Sequence, residues 1–374
     1  MKNLLILHII TGLKVGGAEN ALHRLIVNSP KELKHEVLCL TKGGAMHEVF
    51  FKSNIKVITL DFKRSFFNSL FFLIKLIRVK SPDVVQTWLY HANLIGGIAA
   101  KIVGIKVVIW GLRGTAIPQS VFSIHSLIIK LGSFLSYIIP SSVVCNANTV
   151  SDFHVQKGYS KNKIAIINNG FNINKEIFYK EELLNEIGGL NSNSLIIGTV
   201  GRYDKLKDYP NMINAFSIIM KEYPNVHLLM IGRGLDISNS ELMSMLSSSL
   251  DISKVHLLGE RSQISNYLNL MDIFCLSSRN EGFPNVVAEA MLMKVPCVVT
   301  DAGDASSLIS DIGILVPVED HIKLALGLKY MIEIGNKKRE KIGELSYLHI
   351  KSNFSIKKNI SQFSKLYMKL LNEK

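Results

Sequence analysis

The sequence predicts an α/β protein built from two doubly wound domains, each a parallel sheet with helices on both faces. At 374 residues the chain is too long for one ordinary core and suits two domains of roughly 150 to 200 residues. Short aliphatic runs alternate with helical patterns along nearly all of it, which is typical of parallel sheets. Two such domains are expected to face each other across a cleft.

The first alternation covers residues 1–175. It predicts strands at 3–10, 35–40, 55–60, 84–88, 106–110, 142–145 and 163–167, and a helix from Ala18 to about Asn28. The polar stretch 176–194 that follows is the predicted linker.

The second alternation defines a domain over residues 195–353. Its predicted strands are LIIGTVG (195–201), VHLLMIG (226–232), VHLLGE (255–260), DIFCLSS (272–278) and PCVVTD (296–301). Residues 354–374 then form an amphipathic helix, because Phe363, Leu366, Leu370 and Leu371 recur at helical spacing.

Several simple features point to an intracellular protein. Cys39, Cys145, Cys275 and Cys297 lie in apolar runs without a CxxC pair, so we expect reduced core residues and no zinc site. The amino-terminal MKNLLILHII breaks into Thr11 and Gly12, which favours a first strand over a secretory signal. No apolar stretch reaches the ~20 residues of a membrane-spanning helix. We therefore expect a cytoplasmic protein.

The net charge of +13 is concentrated in the first half of the chain. Residues 1–175 hold 21 Lys and Arg against 7 Asp and Glu, and the remainder holds 22 against 23. Such a basic half could bind nucleic acid, an anionic membrane or a diphosphate-linked lipid. It contains no recognisable nucleic-acid-binding motif, so we expect no nucleic-acid partner.

Two segments of this basic half combine apolar residues with cations, namely Lys63 to Lys80 and Ile124 to Ile139. Either could lie in a bilayer interface, and either could be an ordinary amphipathic helix covering the sheet. Together with the charge asymmetry they predict contact with an anionic membrane, peripherally on its inner face.

The segment Ser278 to Met293, SRNEGFPNVVAEAMLM, carries the most chemistry. It follows a strand and opens a helix at its Pro-Asn, where backbone amides at the carboxyl end of a strand bind anions. Glu281 lies in the turn and Glu289 about two turns along the helix, a Glu-x7-Glu spacing.

With GTVGRYDKLKDYPNMINAF at 198–216, this segment resembles the retaining glycosyltransferases of family 4. TGLKVGGAENAL (11–22) and INNGFN (167–172) resemble the same family, so the likeness spans nearly the whole chain. It implies the GT-B fold, with two Rossmann-like domains and a carboxyl-terminal helix that crosses back to the first. The implied activity is transfer of a sugar from a nucleotide diphosphate to a glycan or lipid-linked glycan acceptor in surface polysaccharide or lipopolysaccharide biosynthesis.

The resemblance also implies roles for particular residues. Arg202 and Lys207, at an Arg-x4-Lys spacing, would neutralise the departing diphosphate without a metal ion. Glu289 would bind the ribose, and Glu281 would hold the donor sugar and support its oxocarbenium-like transition state. Further donor contacts are expected from the residues around the turn and from the glycine pair of the first loop: Gly282, Phe283, Pro284, Asn285, Gly16 and Gly17.

The first domain departs from the family at one position. Many relatives carry a histidine after a strand such as VVIW, and Arg113 occupies about that place here. His91, in TWLYHANLIG, is the alternative polar residue. Both are catalytic candidates.

No cofactor and no metal ion is expected, since the chain lacks an Asp-x-Asp motif and a cluster of His, Asp and Glu. Two alternatives stay open because fold does not fix reaction. One is a sugar-nucleotide epimerase or hydrolase of the same architecture. The other is a non-catalytic scaffold that binds a nucleotide sugar at a membrane.

Overall fold

The computed structural model describes residues 3–115, 123–173, 180–191 and 193–373. The chain forms two compact units, one of Met1–Asn172 together with Phe354–Lys374, the other of Ile173–Asn353.

Seven parallel strands form the sheet of the first unit. The elements are β1 (Leu4–Ile10), α1 (Gly17–Asn28), β2 (Leu33–Cys39), α2 (Met46–Lys52), β3 (Val57–Thr59), α3 (Phe66–Lys80), β4 (Val84–Trp88), α4 (Tyr90–Val103), β5 (Val107–Leu112), α5 (Ile124–Leu135), β6 (Ser142–Cys145), α6 (Asn148–Gln156) and β7 (Ile164–Ile166). The strand order is β3-β2-β1-β4-β5-β6-β7. The order reverses between β1 and β4, which makes their carboxyl ends the switch point of this sheet.

Six parallel strands form the sheet of the second unit. The elements are α7 (Lys180–Ile187), β8 (Leu195–Val200), α8 (Tyr209–Glu222), β9 (Val226–Ile231), α9 (Ser240–Ser249), β10 (Val255–Gly259), α10 (Ile264–Leu268), β11 (Ile273–Leu276), α11 (Asn285–Leu292), β12 (Cys297–Thr300), α12 (Ala305–Ile309), β13 (Ile314–Val316), α13 (His321–Glu333) and α14 (Asn336–Asn353). The order β10-β9-β8-β11-β12-β13 reverses between β8 and β11.

The last helix, α15 (Ile356–Asn372), belongs to the first unit. Phe363, Tyr367 and Leu370 are buried in the same core cluster as the inner face of α1. Backbone hydrogen bonds on both sides of Phe171, to Phe354 and Ile356, tie the start of the helix to this unit. The predicted return of the carboxyl-terminal helix to the first domain is confirmed.

The fold prediction holds for both sheets, and every predicted strand is present. Strand β13 was missed because its three residues form a run too short to show a period. Part of the predicted linker is helical, since residues 180–187 form α7, whereas 176–179 and 192 lie outside the described residues.

The four cysteines are buried and unpaired, as predicted. Burial raises the pKa of Cys145 to about 12, so this thiol stays protonated. Among the described helices, none is both long enough and apolar enough to cross a membrane.

A buried histidine chain links three strands of the first sheet. Trp88 donates from Nε1 to Nδ1 of His8 at 3.1 Å, which leaves the proton of His8 on Nε2, 2.8 Å from Nδ1 of His35. Burial, and secondarily the charge of His35, lowers the pKa of His8 well below its usual value. Burial lowers the pKa of His35 to about 4. Both rings are therefore neutral at pH 7.

Acidification from pH 7 to pH 5 should destabilise the first unit. The unfolded chain protonates these histidines near pH ~6.5, whereas folded His35 does so only near about 4. The free energy of unfolding therefore falls with pH over this window, by roughly 2 kcal/mol from His35 alone. Urea unfolding followed by tryptophan fluorescence measures it, because Trp88 and Trp110 both lie in this unit.

The control is His35→Gln, which has no titrating ring. It should lose less stability than the natural protein on acidification. An equal loss in both proteins would show that the histidine chain is not responsible.

Candidate active site

The two predicted donor loops of the second unit meet at the switch point of its sheet. Lys207 lies in the loop after β8, and Glu281 in the loop after β11, the neighbouring strand. Lys207 Nζ donates to Glu281 Oε1 at 2.6 Å, and both side chains are largely buried. A cation and a carboxylate separated by more than seventy residues in sequence are thus paired at the edge of the sheet where ligands bind in this topology.

Two serines of the second loop fix this pair. Ser278 Oγ donates to the same Glu281 oxygen at 2.7 Å. Ser277 Oγ donates to the carbonyl oxygen of Lys207 at 2.8 Å, which joins the two loops through the backbone. Thr300, at the end of β12, donates to the carbonyl of Ser278 at 2.6 Å. The carboxylate and the ammonium group are therefore held in position before any ligand binds.

Arg279 and Asp208 form a second link between the same loops. Arg279 Nη2 donates to Asp208 Oδ1 at 3.0 Å, and its Nε lies 2.9 Å from Oδ2. The Asp208 side chain is only 2% exposed, so its charge depends on this partner. Glu319 Oε1 lies 3.0 Å from Nη1 of the same guanidinium. The Arg279 amide also donates to the carbonyl of Leu206.

Arg202 occupies a more open position. Its Nε lies 3.0 Å from Asp204 Oδ2, and more than half of its side chain is exposed. Asp204 in turn accepts from the amide of Leu206 at 2.9 Å, which fixes the turn that leads to Lys207. The long arginine side chain is accessible to an anion arriving at this loop.

Tyr209 supports the floor of the same loop. Its hydroxyl donates to the carbonyl of Gly201 at 3.0 Å. Burial raises the pKa of Tyr209, with smaller contributions from Glu281 and Asp204, so the phenol remains a neutral donor.

The remaining predicted donor residues follow Glu281. Pro284 directly precedes α11 and occupies its N-cap rather than its first turn, so the helix begins at Asn285. Phe283 and Pro284 are buried, whereas Gly282, Asn285 and Glu289 are half-buried. Gly303, at φ +63°, packs against this turn so closely that a Cβ would lie 2.4 Å from the Glu281 carbonyl oxygen. Only glycine fits there.

The predicted residues of the first unit lie around its own switch point. A pocket of about 320 Å³ is lined by residues that follow β1 and β4, by residues at and after the end of β5, and by the first turns of α4 and α5: Thr11, Leu89, Tyr90, His91, Leu112, Arg113, Gly114 and His125. Leu89, which precedes α4, has φ 73° and ψ 160°, a conformation that costs a side chain about 1–3 kcal/mol. Such strained backbone concentrates at ligand sites.

Arg113 and His91 differ in their surroundings. Arg113 donates from Nη1 to Asn169 Oδ1 at 2.6 Å and lies 4.3 Å above the Trp88 ring. Burial lowers the pKa of Arg113 to about 10, so it remains charged at pH 7. His91 is exposed and belongs to the first turn of α4, not to the end of the preceding strand as predicted. Partial burial, and secondarily His125, lowers the pKa of His91, which favours a neutral ring.

The glycine pair precedes the inner helix of the same unit. Gly16 is the N-cap of α1 and Gly17 its first residue. A Cβ on Gly16 would lie 2.5 Å from a carboxylate oxygen of Glu19. Glu19 is buried, and burial raises its pKa.

Two family models match this chain in succession. Residues 15–175 match Glycosyltransferase Family 4, and residues 180–349 match Glycosyl transferases group 1. The chain belongs to glycosyltransferase family 4. It is therefore a glycosyltransferase, and its two parallel-sheet units give it the GT-B fold.

Two of its relatives are named for steps in glycan assembly. The capsular polysaccharide biosynthesis glycosyltransferase CapM of Staphylococcus aureus is 24% identical over 100% of this chain and 99% of its own length. The UDP-Gal:α-D-GlcNAc-diphosphoundecaprenol α-1,3-galactosyltransferase of Escherichia coli is 26% identical over 67% of each chain. HepE of Anabaena, solved in complex with UDP-glucose, superposes with a TM-score of 0.83 at 20% identity, covering 98% of this chain and 100% of HepE.

Sequence reasoning predicted Lys207 and Glu281 as site residues but missed the residues that hold them in place. Arg279 and Asp208 each lie within two residues of a predicted site residue, and that proximity was the available signal. Glu19 lies inside the quoted glycine motif and was also passed over. Within the described ranges, no three His, Cys, Asp or Glu side chains are grouped so that they could hold a metal ion.

Arg279→Gln should lower the free energy of unfolding of the second unit by about 1–3 kcal/mol, because it leaves the buried Asp208 carboxylate unpaired. Asp208→Asn removes that charge and suits the left-handed backbone at this residue, φ 49°. The double variant should therefore be more stable than the Arg279→Gln variant. A urea-unfolding cycle over the four proteins measures the coupling, and strictly additive effects would contradict the link.

Proposed function

We propose that this glycosyltransferase moves a sugar from a nucleotide diphosphate donor to a lipid-linked glycan acceptor, with retention of configuration and without a metal ion. The observation that supports this most directly is the Lys207–Glu281 pair at the switch point of the second unit. The ammonium group and the carboxylate that we assign to the departing diphosphate and to the donor sugar lie side by side there.

The charges suit the bond that breaks. As the bond between the anomeric carbon and the diphosphate lengthens, negative charge grows on the phosphate and positive charge on the sugar ring. Lys207 and the accessible Arg202 would neutralise the negative charge on the phosphate. Glu281 would stabilise the positive charge on the sugar ring. These cations would do the work that a metal ion does in other transferases, so we propose that neither a metal nor a cofactor is required.

Retention is assigned to a front-face reaction. The acceptor hydroxyl oxygen bonds to the anomeric carbon on the face from which the diphosphate departs. Its proton passes to a departing phosphate oxygen, so no separate base is needed. Glu289, half-buried on α11, would bind the ribose through both hydroxyls, and Asn285, Pro284, Phe283 and Gly282 would surround the diphosphate. Gly16 and Gly17 remain predicted donor contacts.

The acceptor is assigned to the first unit. Its pocket is lined by apolar atoms and by His91, His125 and Arg113. The Escherichia coli relative is named for a diphosphoundecaprenol acceptor and the Staphylococcus aureus relative for capsular polysaccharide. We therefore propose a glycan on a lipid diphosphate, used in surface polysaccharide or lipopolysaccharide assembly at the cytoplasmic face of the membrane.

Donor binding should be visible as thermal stabilisation. Among uridine, guanosine, adenosine and thymidine diphosphates and their sugar conjugates, one nucleotide class should raise the melting temperature. At a hundredfold excess over the dissociation constant the expected gain is about 2.7 kcal/mol. Arg202→Ala and Glu289→Ala should abolish it, and Lys205→Ala, an exposed neighbour in the same loop, should not.

If no nucleotide stabilises the folded protein, the donor site is wrong and a non-catalytic scaffold becomes the better interpretation. If the donor is consumed while no acceptor is glycosylated, released free sugar indicates a hydrolase and a new sugar nucleotide indicates an epimerase.

Lys207→Met should lower kcat by about 10²–10³-fold, because it removes one preorganised charge from the leaving group. Glu281→Gln should also lower kcat. EDTA should leave the kcat of the natural protein and of both variants unchanged. The measurement is sugar transfer under saturating donor, with Lys205→Met as the control. Loss of activity in EDTA that Mg²⁺ restores would overturn the metal-independent mechanism.

A further inference from the structure

Three helices of the first unit form one layer over its sheet. Helix α4 packs against α3 on one side and α5 on the other. Their inward residues are buried, including Leu73 and Ile77 of α3 and Ile129 of α5. Both sequence segments singled out for mixed apolar and basic character belong to this layer, and each covers the sheet with only one side.

The outward side of this layer is unusually apolar. Phe67 is 82% exposed, Phe71 71% and Phe134 66%. Further exposed hydrophobic residues lie on the same three helices and the turn after α5: Phe66, Phe72, Val79, Ile98, Ile102, Ile124, Leu127, Leu131, Tyr137 and Ile138. Scattered exposed hydrophobics are ordinary, but a set of this size on adjacent helices indicates an interaction surface.

The charge of the layer has one sign. Helices α3, α4 and α5 contain no Asp or Glu, and from residue 62 to 151 nine Lys and Arg stand against the single acid Asp83. Lys75, Arg78, Lys101 and Lys130 are exposed on the three helices. The surface therefore combines bulky apolar side chains with flexible cations.

We propose that the outer side of α3, α4 and α5, the docking layer, is the surface by which this protein lies on a lipid bilayer with anionic headgroups. The aromatic and aliphatic side chains enter the interface between headgroups and acyl chains, and the lysines and arginines contact lipid phosphates. Each cation near an anionic surface strengthens the attraction.

Charge complementarity selects the bilayer over a second copy of this chain. A symmetric dimer through this layer would place the same patch on both partners. Cations would then oppose cations with no carboxylate of α3, α4 or α5 to pair with them. An anionic bilayer offers both a negative surface and an apolar interior, so it satisfies both features of the layer.

The layer also accounts for the position of the pocket in the first unit. Tyr90 and His91 open α4, His125 lies in the first turn of α5, and all three line the pocket. A lipid held against these helices would bring its diphosphate headgroup toward that end of the sheet. The inference takes the lipid-linked acceptor from the proposed function, but vesicle binding itself requires neither donor nor catalysis.

The test is cosedimentation of the full chain with vesicles of phosphatidylcholine alone or with 30% phosphatidylglycerol. The natural protein should bind the anionic vesicles and show little binding to the neutral ones. Phe67→Ser with Phe71→Ser should reduce the bound fraction at least fivefold, as should Lys75→Gln with Lys101→Gln and Lys130→Gln. Phe51→Ser is the matched control, because Phe51 is 80% exposed on α2, outside the layer.

Folding and the donor site are checked in the same variants by the nucleotide thermal shift, which should be unchanged. Undiminished vesicle binding in both sets of variants would overturn the docking layer, as would absence of binding by the natural protein. If light scattering shows that the natural protein is a dimer and that the phenylalanine variants are monomers, the layer belongs to an interface with a second copy. If no nucleotide raises the melting temperature of the natural protein, the proposed donor site is wrong. The vesicle-binding result would still hold.

Discussion

The whole arrangement depends on the point at which each parallel sheet reverses its strand order. Neighbouring strands there send their chains onto opposite faces, so the loops at their carboxyl ends separate and leave room for a ligand. In the second unit the loops after β8 and β11 border this opening, and the side chains of Lys207 and Glu281 meet there. In the first unit the same constraint, between β1 and β4, produces a pocket instead of an ion pair.

The two sites are stabilised in different ways. Around Lys207 the charges are paired, since Lys207 contacts Glu281 and Arg279 contacts Asp208 across two loops, and serine hydroxyls hold the carbonyl and carboxylate oxygens. Around Arg113 the charge is buried against an aromatic ring and one amide, and burial lowers its pKa. The strained backbone of Leu89 lies beside it. The first site is thus held by paired charges and hydroxyls, whereas the second is a buried cation in an apolar pocket.

The helices of the first unit serve two purposes at once. Their inner sides complete the core, as an amphipathic helix on a parallel sheet must. The outer sides of α3, α4 and α5 carry aromatic residues and cations where a solvated helix would carry mixed charge. Helix α15, from the far end of the chain, joins the core cluster of α1, which contains no described residue of α3, α4 or α5, so within the first unit it does not cover this layer.

Sequence alone determined the α/β class and nearly all the strands, and it predicted Arg202, Lys207, Glu281 and Glu289 as site residues. It did so because buried strands, turns and phosphate-binding loops leave local patterns. It could not show that Lys207 meets Glu281, that Arg279 reaches Asp208, or that His91 lies on a helix, because these facts depend on strand order and on distances between residues remote in sequence. The short strand β13 and the helix α7 were not predicted, because segments of three and eight residues carry too little periodicity. Only the tertiary structure decided which sides of α3, α4 and α5 stay exposed, since that depends on which neighbours the sheet provides.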